Sequence, residues 1–353
     1  MHIITCEQVS NGHPDKICDQ IADAIVTDVL KHDKNARVAA EVLIKGNQIV
    51  IAGEISSDYV PSYKELVKNV FERIGLERLG YEDSVFDIHI LMDRQSPDIA
   101  MGVDKGGAGD QGMMFGYATN ETPELLPVPF VLATNFLRLL KNHPSHMFRA
   151  DAKAQVSFDY DCGRITTFLC SVQHSADVEP ADFRHIIEAM MLLTAAQLGL
   201  NTDFQKLVNP TGRFVLGGPF ADCGVTGRKL ACDTYGGVGH IGGGAMSGKD
   251  PTKVDRSGAF MARKIARDIV TAGYAERCEV QIAYAIGVAS PVSVNVDCFG
   301  TEQQSRDFIE AFVRENYDLT PRGIIEQLGL LDVDYNSVSS YGHFGKQGLP
   351  WEG

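Results

Sequence analysis

The densest concentration of residues capable of chemistry lies in 236–257, GGVGHIGGGAMSGKDPTKVDRS. Seven glycines fall between Gly236 and Gly248, and Lys249, Asp250, Lys253, Asp255 and Arg256 crowd into the next eight residues. Glycine-rich backbone approaches a ligand closely and turns its N–H groups inward. Two lysines supply fixed positive charge, and Asp255 suits a hard cation such as Mg2+. The combination fits a polyphosphate. Gly243, four residues and then Gly248-Lys249 nearly reproduce a P-loop, but Asp250 stands where Ser or Thr would hold Mg2+, and no apolar strand leads in. A P-loop NTPase is therefore disfavoured. The plain alternative is a flexible surface loop, which leaves the concentrated charge without a reason. Val254, Phe260, Ile265, Ile269 and Val270 recur at helical spacing and Gly273 follows, so a helix is expected over 254–272. Lys249, Lys253 and Asp255 then sit at or just before a helix N-terminus, which favours an anion.

Four other groups invite the same question. In Gly12-His13-Pro14-Asp15-Lys16, ahead of a helix over 17–30, the His, Asp and Lys can meet phosphate, metal and phosphate, although Pro14 and Asp15 also make a good capping turn. Glu41 and Glu54 lie among apolar neighbours on two expected strands, where a buried carboxylate needs a cation or ligand amine; a solvent-facing edge is the alternative. Arg149, Asp151, Lys153 and Gln155 alternate along one strand and share a face, with Ala150, Ala152, Ala154 and Val156 on the other. A solvated face explains that pattern equally well. Arg213, Phe214, Asp222, Arg228 and Lys229 surround a glycine-dense linker over 209–227, and Phe214 can stack on a purine. Tyr341-Gly342-His343-Phe344-Gly345 has turn composition and receives no catalytic role. The chain shows no nucleophile elbow and no paired-histidine metal motif. What it advertises is polyphosphate handling, without an obvious acid–base or covalent catalyst.

The elements that must position these residues recur. A helix over 17–30, strands within 37–55 around Lys45-Gly46-Asn47 and a helix over 61–74 are followed by a strand over 85–92. A helix over 127–141, a hairpin over 149–173 and a helix over 180–198 repeat the order. Helix 254–272, a hairpin over 279–299 broken at Ser290-Pro291 and helix 301–315 repeat it again. The fold expected is α+β: three similar domains, each with a helix–β-hairpin–helix core, around a pseudo-threefold axis. Their boundaries are placed at 1–97, 106–219 and 220–353. The glycine-containing linker 95–112 is long enough to act as a lid.

With 44% hydrophobic and 22% charged residues the composition is that of a globular protein, and the net charge of −14 argues against a nucleic-acid or membrane-surface binder. Eight scattered cysteines without CxxC or zinc spacing indicate reduced thiols. With no signal-like N-terminus or long apolar run, the expected location is the cytoplasm.

Taken together, GHPDK at 12–16, GEI at 53–55, QSPDI at 95–99, GAGDQGMMFGYATNE at 107–121 and DAKAQV at 151–156 closely resemble the S-adenosylmethionine synthetase (methionine adenosyltransferase) family. NPTGRFV at 209–215, DCGVTGRK at 222–229, DTYGG at 233–237, GGGAMSGKDPTKVDRS at 242–257 and YGHFG at 341–345 extend the resemblance over essentially the whole chain. It implies formation of S-adenosylmethionine by attack of the methionine thioether on C5′ of ATP, with the released triphosphate hydrolysed in the same site to pyrophosphate and phosphate. It implies Mg2+, two per site, held by Asp15 and Asp255, and K+ held by Glu41. His13, Asp110, Asp151, Lys153, Arg213, Phe214, Asp222, Arg228, Lys229, Ala245 and Lys249 become ATP contacts, with His13, Lys153, Arg228 and Lys249 catalytic. Glu54, Gln95, Asp222 and Lys253 become methionine contacts. A homodimer or homotetramer with shared active sites is implied, with neither nucleic acid nor membrane as partner. The chain departs from the family pattern in a short 95–112 lid, in Arg94 where Lys commonly precedes QSPDI, in Met246 for Phe, and in stopping at Gly353 without the helical tail typical of bacterial members. A different ATP-dependent phosphotransferase and a catalytically silent nucleotide-binding protein are the competing readings; the first lacks an acceptor-activating base, and the second requires losses among His13, Asp15, Lys153, Lys249 and Asp255, all of which are present.

Overall fold

The structure is a computed structural model that describes residues 2–81, 86–94 and 106–353. In chain order the strands are β1 (Ile3–Val9), β2 (Arg37–Lys45), β3 (Gln48–Ser56), β4 (Asp87–Asp93), β5 (Gly112–Thr119), β6 (Phe148–Asp159), β7 (Arg164–His174), β8 (Gln205–Val208), β9 (Gly224–Val225), β10 (Arg277–Tyr284) and β11 (Ser293–Asp297). The helices of two or more turns among the described residues are α1 (Pro14–His32), α2 (Tyr63–Ile74), α3 (Val128–Asn142), α4 (Pro180–Gln197), α5 (Val254–Thr271), α6 (Arg306–Asn316) and α7 (Pro321–Leu328).

The three expected hairpins are present as β2–β3, β6–β7 and β10–β11. Alternation of apolar and polar residues made them legible, and in β2 it holds as buried Val38, Ala40, Val42 and Ile44 between more open neighbours. Helix α6 starts at Arg306 rather than at 301, because the Ser305 hydroxyl caps it by accepting from the Phe308 N–H. Five elements lie beyond the expected pattern: β1, β5, β8, β9 and α7. All four of these strands enter the sheets, whose orders are β1-β6-β7-β8, β11-β10-β5 and β4-β3-β2-β9. Each hairpin is thus joined by a strand from another stretch of chain: β1 pairs with β6, β5 with β10 and β9 with β2. The exchange is cyclic, since each of the three sequence segments lends its first strand to a neighbour's sheet.

Two cores result. One lies between α3, α4 and the β6–β7–β8 sheet. The larger joins α1, α2 and α5 to the other two sheets and includes Trp351, which stacks on Phe260 at 3.8 Å. Helix α5 crosses β5 so closely that a Cβ on Gly116 would lie about 2 Å from the Ala262 carbonyl, so only glycine permits the contact. No helix among the described residues is long and apolar enough to cross a membrane.

Candidate functional site

Helix α1 organises the site. Sixteen of its nineteen residues are buried, so the polar side opposite Ile17, Ile21 and Ile25 is interior as well. His13 is its N-cap, and its Nδ1 accepts the Asp15 N–H at 3.2 Å. The remaining nitrogen, Nε2, therefore carries the proton of the neutral ring. Burial, reinforced by the charges of Lys229 and Lys153, pushes the His13 pKa down to about 3. His13 is thus a neutral hydrogen-bond donor at physiological pH.

Three aspartates at i, i+4 and i+8 run along the buried polar side and hold glycine-containing loops. Asp15 Oδ1 accepts the Val225 N–H at 2.9 Å, Asp19 Oδ1 the Gly227 N–H at 2.8 Å, and Asp23 Oδ1 the Gly248 N–H at 2.9 Å. Asp15 also receives Lys229 Nζ at 2.6 Å and lies 3.5 Å from Arg228 Nε. Burial alone raises the Asp15 pKa, but the Lys229 and Val225 hydrogen bonds outweigh it and the net direction is down. Asp23 pairs with the fully buried Arg256 at 2.8 Å. Lys16 does not face a ligand: its ammonium is fully buried between Asp19 and Asp233, which raises its pKa despite burial. The sequence signal for this arrangement was the Asp15-Asp19-Asp23 spacing, which an amphipathic reading of α1 assigns to its outer side.

The 236–257 stretch is fastened to β2. The carbonyl of Gly248, a residue with φ +82°, accepts the Ala40 N–H at 2.8 Å, and a Cβ there would lie 2.0 Å from the Ala40 carbonyl oxygen. Asp250, at the position where a P-loop has Ser or Thr, is fully buried; its carboxylate accepts the Val38 N–H at 2.7 Å and the Thr252 N–H at 2.8 Å. Lys249 thereby projects beside Asp255, with Nζ 2.7 Å from Oδ2. Asp255 sits in the first turn of α5, Lys253 is that helix's N-cap, and Ala245 packs against Gly227.

On β6, the expected common face of Arg149, Asp151, Lys153 and Gln155 divides at an irregularity between Phe148 and Ala152. Arg149 reaches the Glu77 carbonyl, whereas Asp151 turns inward and accepts the Gly218 N–H at 2.9 Å. Its other oxygen, Oδ1, is buried with no hydrogen-bond partner among the described residues. Burial pushes the Asp151 pKa up to about 6, against the Gly218 hydrogen bond and the charge of Lys153.

The structure therefore brings His13, Asp15, Asp151, Lys153, Asp222 and Lys229 into one electrostatic neighbourhood, with Arg228 on Asp15. Glu41 joins Lys249: burial raises its pKa, Lys249 lowers it, and Asp19 and Glu54 raise it. Glu41 and Glu54 are nevertheless exposed, on the outward face of β2–β3, so the expectation of buried strand carboxylates fails for this chain alone. The period-2 pattern placed Val38, Ala40, Val42 and Ile44 inside and Glu41 outside. Arg213 lines a cavity of about 260 Å3 with His174, Phe183 and Arg184, and the segment that carries it and Phe214 is tied toward Asp151 by Gln173, which binds the Val215 carbonyl and the Asp151 N–H. Asp110 is exposed and binds its neighbour's Gln111 N–H. Gln95 and most of the 95–112 lid lie outside the described residues. Met246 is buried, which agrees with its being an apolar exchange for Phe.

Among the described residues no three His, Cys, Asp or Glu side chains converge as a metal cage. Asp15 and Asp255 each offer one carboxylate beside lysine. That donor set fits Mg2+, which commonly takes one or two carboxylates and completes its shell with phosphate oxygens and water. Glu41 offers K+ one exposed carboxylate, so the rest of that ion's shell would have to come from other oxygen donors.

Sequence comparisons accord with this arrangement. Residues 1–97 match the family model described as S-adenosylmethionine synthetase, N-terminal domain; residues 105–214 match the central domain, and residues 216–353 the C-terminal domain. The S-adenosylmethionine synthase of Mycoplasma mycoides subsp. mycoides SC is 45% identical over 99% of this chain and 94% of its own length. That of Mycoplasma capricolum subsp. capricolum is likewise 45% identical, with the same coverage of both chains. Three domain models in order and near-complete alignment leave one conclusion: the chain belongs to the S-adenosylmethionine synthetase family.

Proposed function

We propose that the cations gathered at the N-terminus of α1 are the leaving-group end of a methionine adenosyltransferase site, at which the chain forms S-adenosylmethionine from ATP and L-methionine. The observation that carries this placement is the joining of neutral His13 to Asp15, Arg228 and Lys229 by direct contacts and shared charge.

The chemistry suits such a site. A thioether sulfur is neutral and carries no proton, so its lone pair attacks C5′ without a base while the C5′–O bond breaks and triphosphate leaves with the electrons. The rate then depends on in-line positioning and on stabilising the growing polyanion. Lys153, Arg228 and Lys249 supply positive charge, and Lys229, fixed by Asp15, adds to it. The His13 Nε2–H donates to the departing oxygen. Asp15 and Asp255 are the residues that would hold Mg2+, two ions per site, which when bound add positive charge against the triphosphate. Asp110, Asp151, Arg213, Phe214, Asp222 and Ala245 complete the nucleotide contacts in this reading. Glu54 and Asp222 suit the methionine ammonium and Lys253 its carboxylate; Gln95, beyond the described residues, belongs with them. Hydrolysis of triphosphate to pyrophosphate and phosphate follows in the same place.

Several further assignments rest on the same reading: K+ at Glu41, cytoplasmic location, segments 1–97, 106–219 and 220–353 as domains, and a homo-oligomer whose copies complete one another's sites. Support for self-association comes from the exposed apolar side chains on the β2–β3–β4 and β5–β10–β11 sheets, including Leu91 at 64% and Met113 at 51% exposure. Light scattering of the wild type and of Leu91→Asp tests it: a monomer in the wild type would refute it. The reaction is tested by incubating the protein with ATP, methionine, Mg2+ and K+. S-adenosylmethionine formed one-to-one with pyrophosphate and phosphate is expected; ADP formed with no sulfonium product would overturn the assignment in favour of phosphoryl transfer.

A further inference from the structure

After β8 the chain over 209–217 stays fastened to the end of β7, but largely through side chains. Asn209 Oδ1 accepts the Val172 N–H at 2.7 Å and Nδ2 donates to the Val172 carbonyl at 2.9 Å. Farther along, Gln173 Nε2 donates to the Val215 carbonyl at 3.0 Å. Between these ties His174 meets Phe214 twice. Its backbone N–H donates to the Phe214 carbonyl at 2.9 Å, and its ring Nε2 accepts the Phe214 N–H at 3.1 Å. The other ring nitrogen, Nδ1, lies 2.8 Å from the Ser175 carbonyl, which can only accept. Nδ1 therefore carries the proton and Nε2 the lone pair that Phe214 requires. The imidazole also packs against the Phe183 ring, with centroids 5.0 Å apart.

We infer that His174 is a positioning residue for the nucleotide: by holding both backbone polar groups of Phe214, it sets where that aromatic ring meets the base. The inference rests on the reading of Phe214 and Arg213 as nucleotide contacts. A peptide held at its N–H and its carbonyl has little freedom to turn, so the ring it carries is fixed before ATP arrives. Loss of the ring acceptor leaves the Phe214 N–H without its partner and drives it toward water. There is room for that movement, because His174, Gly212 and Arg213 border the same cavity of about 260 Å3.

The test measures ATP KM, methionine KM, kcat and thermal unfolding on the full chain with Mg2+ and K+, for the wild type, Phe214→Ala, His174→Phe and His174→Gln. His174→Phe keeps a ring without an acceptor, whereas His174→Gln returns an amide oxygen near the Nε2 position. His174→Phe and Phe214→Ala are each expected to raise ATP KM about tenfold, the scale of one lost hydrogen bond, with kcat and methionine KM little changed. His174→Gln should restore ATP KM to near the wild-type value. If Phe214→Ala raises ATP KM and His174→Phe does not, the positioning role is wrong while the nucleotide reading stands. If Phe214→Ala leaves ATP KM unchanged, the nucleotide reading of Phe214 fails and the inference falls with it. A lower Tm in both His174 variants with unchanged ATP KM shows a purely structural histidine and also overturns it. Should His174→Phe not fold, His174→Asn, whose shorter amide reaches Ser175 but not Phe214, takes its place with the same expectation.

Discussion

The buried polar side of α1 and the outward face of the β2–β3 hairpin both carry carboxylates, and they use them in opposite ways. Asp15, Asp19 and Asp23 each accept a backbone N–H from a distant loop, and each also has a cation within the same chain. Glu41 and Glu54 instead remain exposed on the outward face of the hairpin. The first group is a finished frame that presents Arg228, Lys229 and Lys249. The second is chemistry left open for a ligand, an ion or a second copy. Stability should therefore depend on Asp19 and Asp23 and substrate affinity on the second set, while Asp15, at the mouth of the frame, serves both.

The largest effect is expected from Asp23→Ala, which leaves Arg256 buried and unpaired and removes the acceptor for Gly248. A loss of about 3–5 kcal/mol in denaturant unfolding is expected; unchanged stability would end the notion of a supporting frame. Lys249→Met should lower kcat by about 10²–10³-fold, the scale for one preorganised group facing developing negative charge. Lys249 is only partly buried, so a normal unfolding profile should accompany that loss. Wild-type turnover by the folded variant would remove Lys249 from the leaving-group site. Glu54→Gln should spare stability and raise methionine KM by roughly tenfold, one charge-assisted contact. If it destabilises as much as Asp23→Ala, the contrast between the two regions collapses.

The smallest and most diagnostic effect concerns pH. Asp151 has a pKa raised by burial from 3.8 to about 6. Between those values the folded protein keeps a proton that the unfolded chain has released, so stability falls as pH rises through this window. Asp151→Asn keeps an acceptor for Gly218 and carries no charge. It should raise Tm above pH 6 by roughly 1–2 °C, with the difference vanishing below about pH 4. A difference independent of pH would contradict the burial of Asp151 as an ionisable group.

Much of the site was legible because its chemistry is local. Lys249, Lys253 and Asp255 gather within seven residues next to a helix start, and His13 and Asp15 flank a proline at another. The hairpins were legible because alternation along a strand repeats every two residues. The strands β1, β5 and β9 were not: β9 has two residues, β5 is interrupted by Gly116, and the exposed and buried residues of β1 follow no clean alternation. The sequence left Lys16 open between a phosphate contact and a capping turn because a lysine beside a helix start gives the same local signal whether it meets phosphate or Asp233. His174 and Gln173 escaped notice because they act on backbone atoms some forty residues away, and backbone atoms leave no mark in composition.

By itself the sequence determined which groups exist: glycines that let backbone come close, cations spaced for a polyphosphate, and period-2 and period-3.6 patterns that make hairpins and helices. Those outcomes depend on neighbours within one or two turns. Tertiary structure decided which charges are spent on the protein and which remain for a ligand. Lys16 is paired inside, Asp15 fixes Lys229, and Glu54 is left open, although each is an ordinary charged residue in its local stretch. The physical reason is burial. The energy of a charge depends on what lies within a few ångströms of it, and around α1 those neighbours come from segments about 200 residues away.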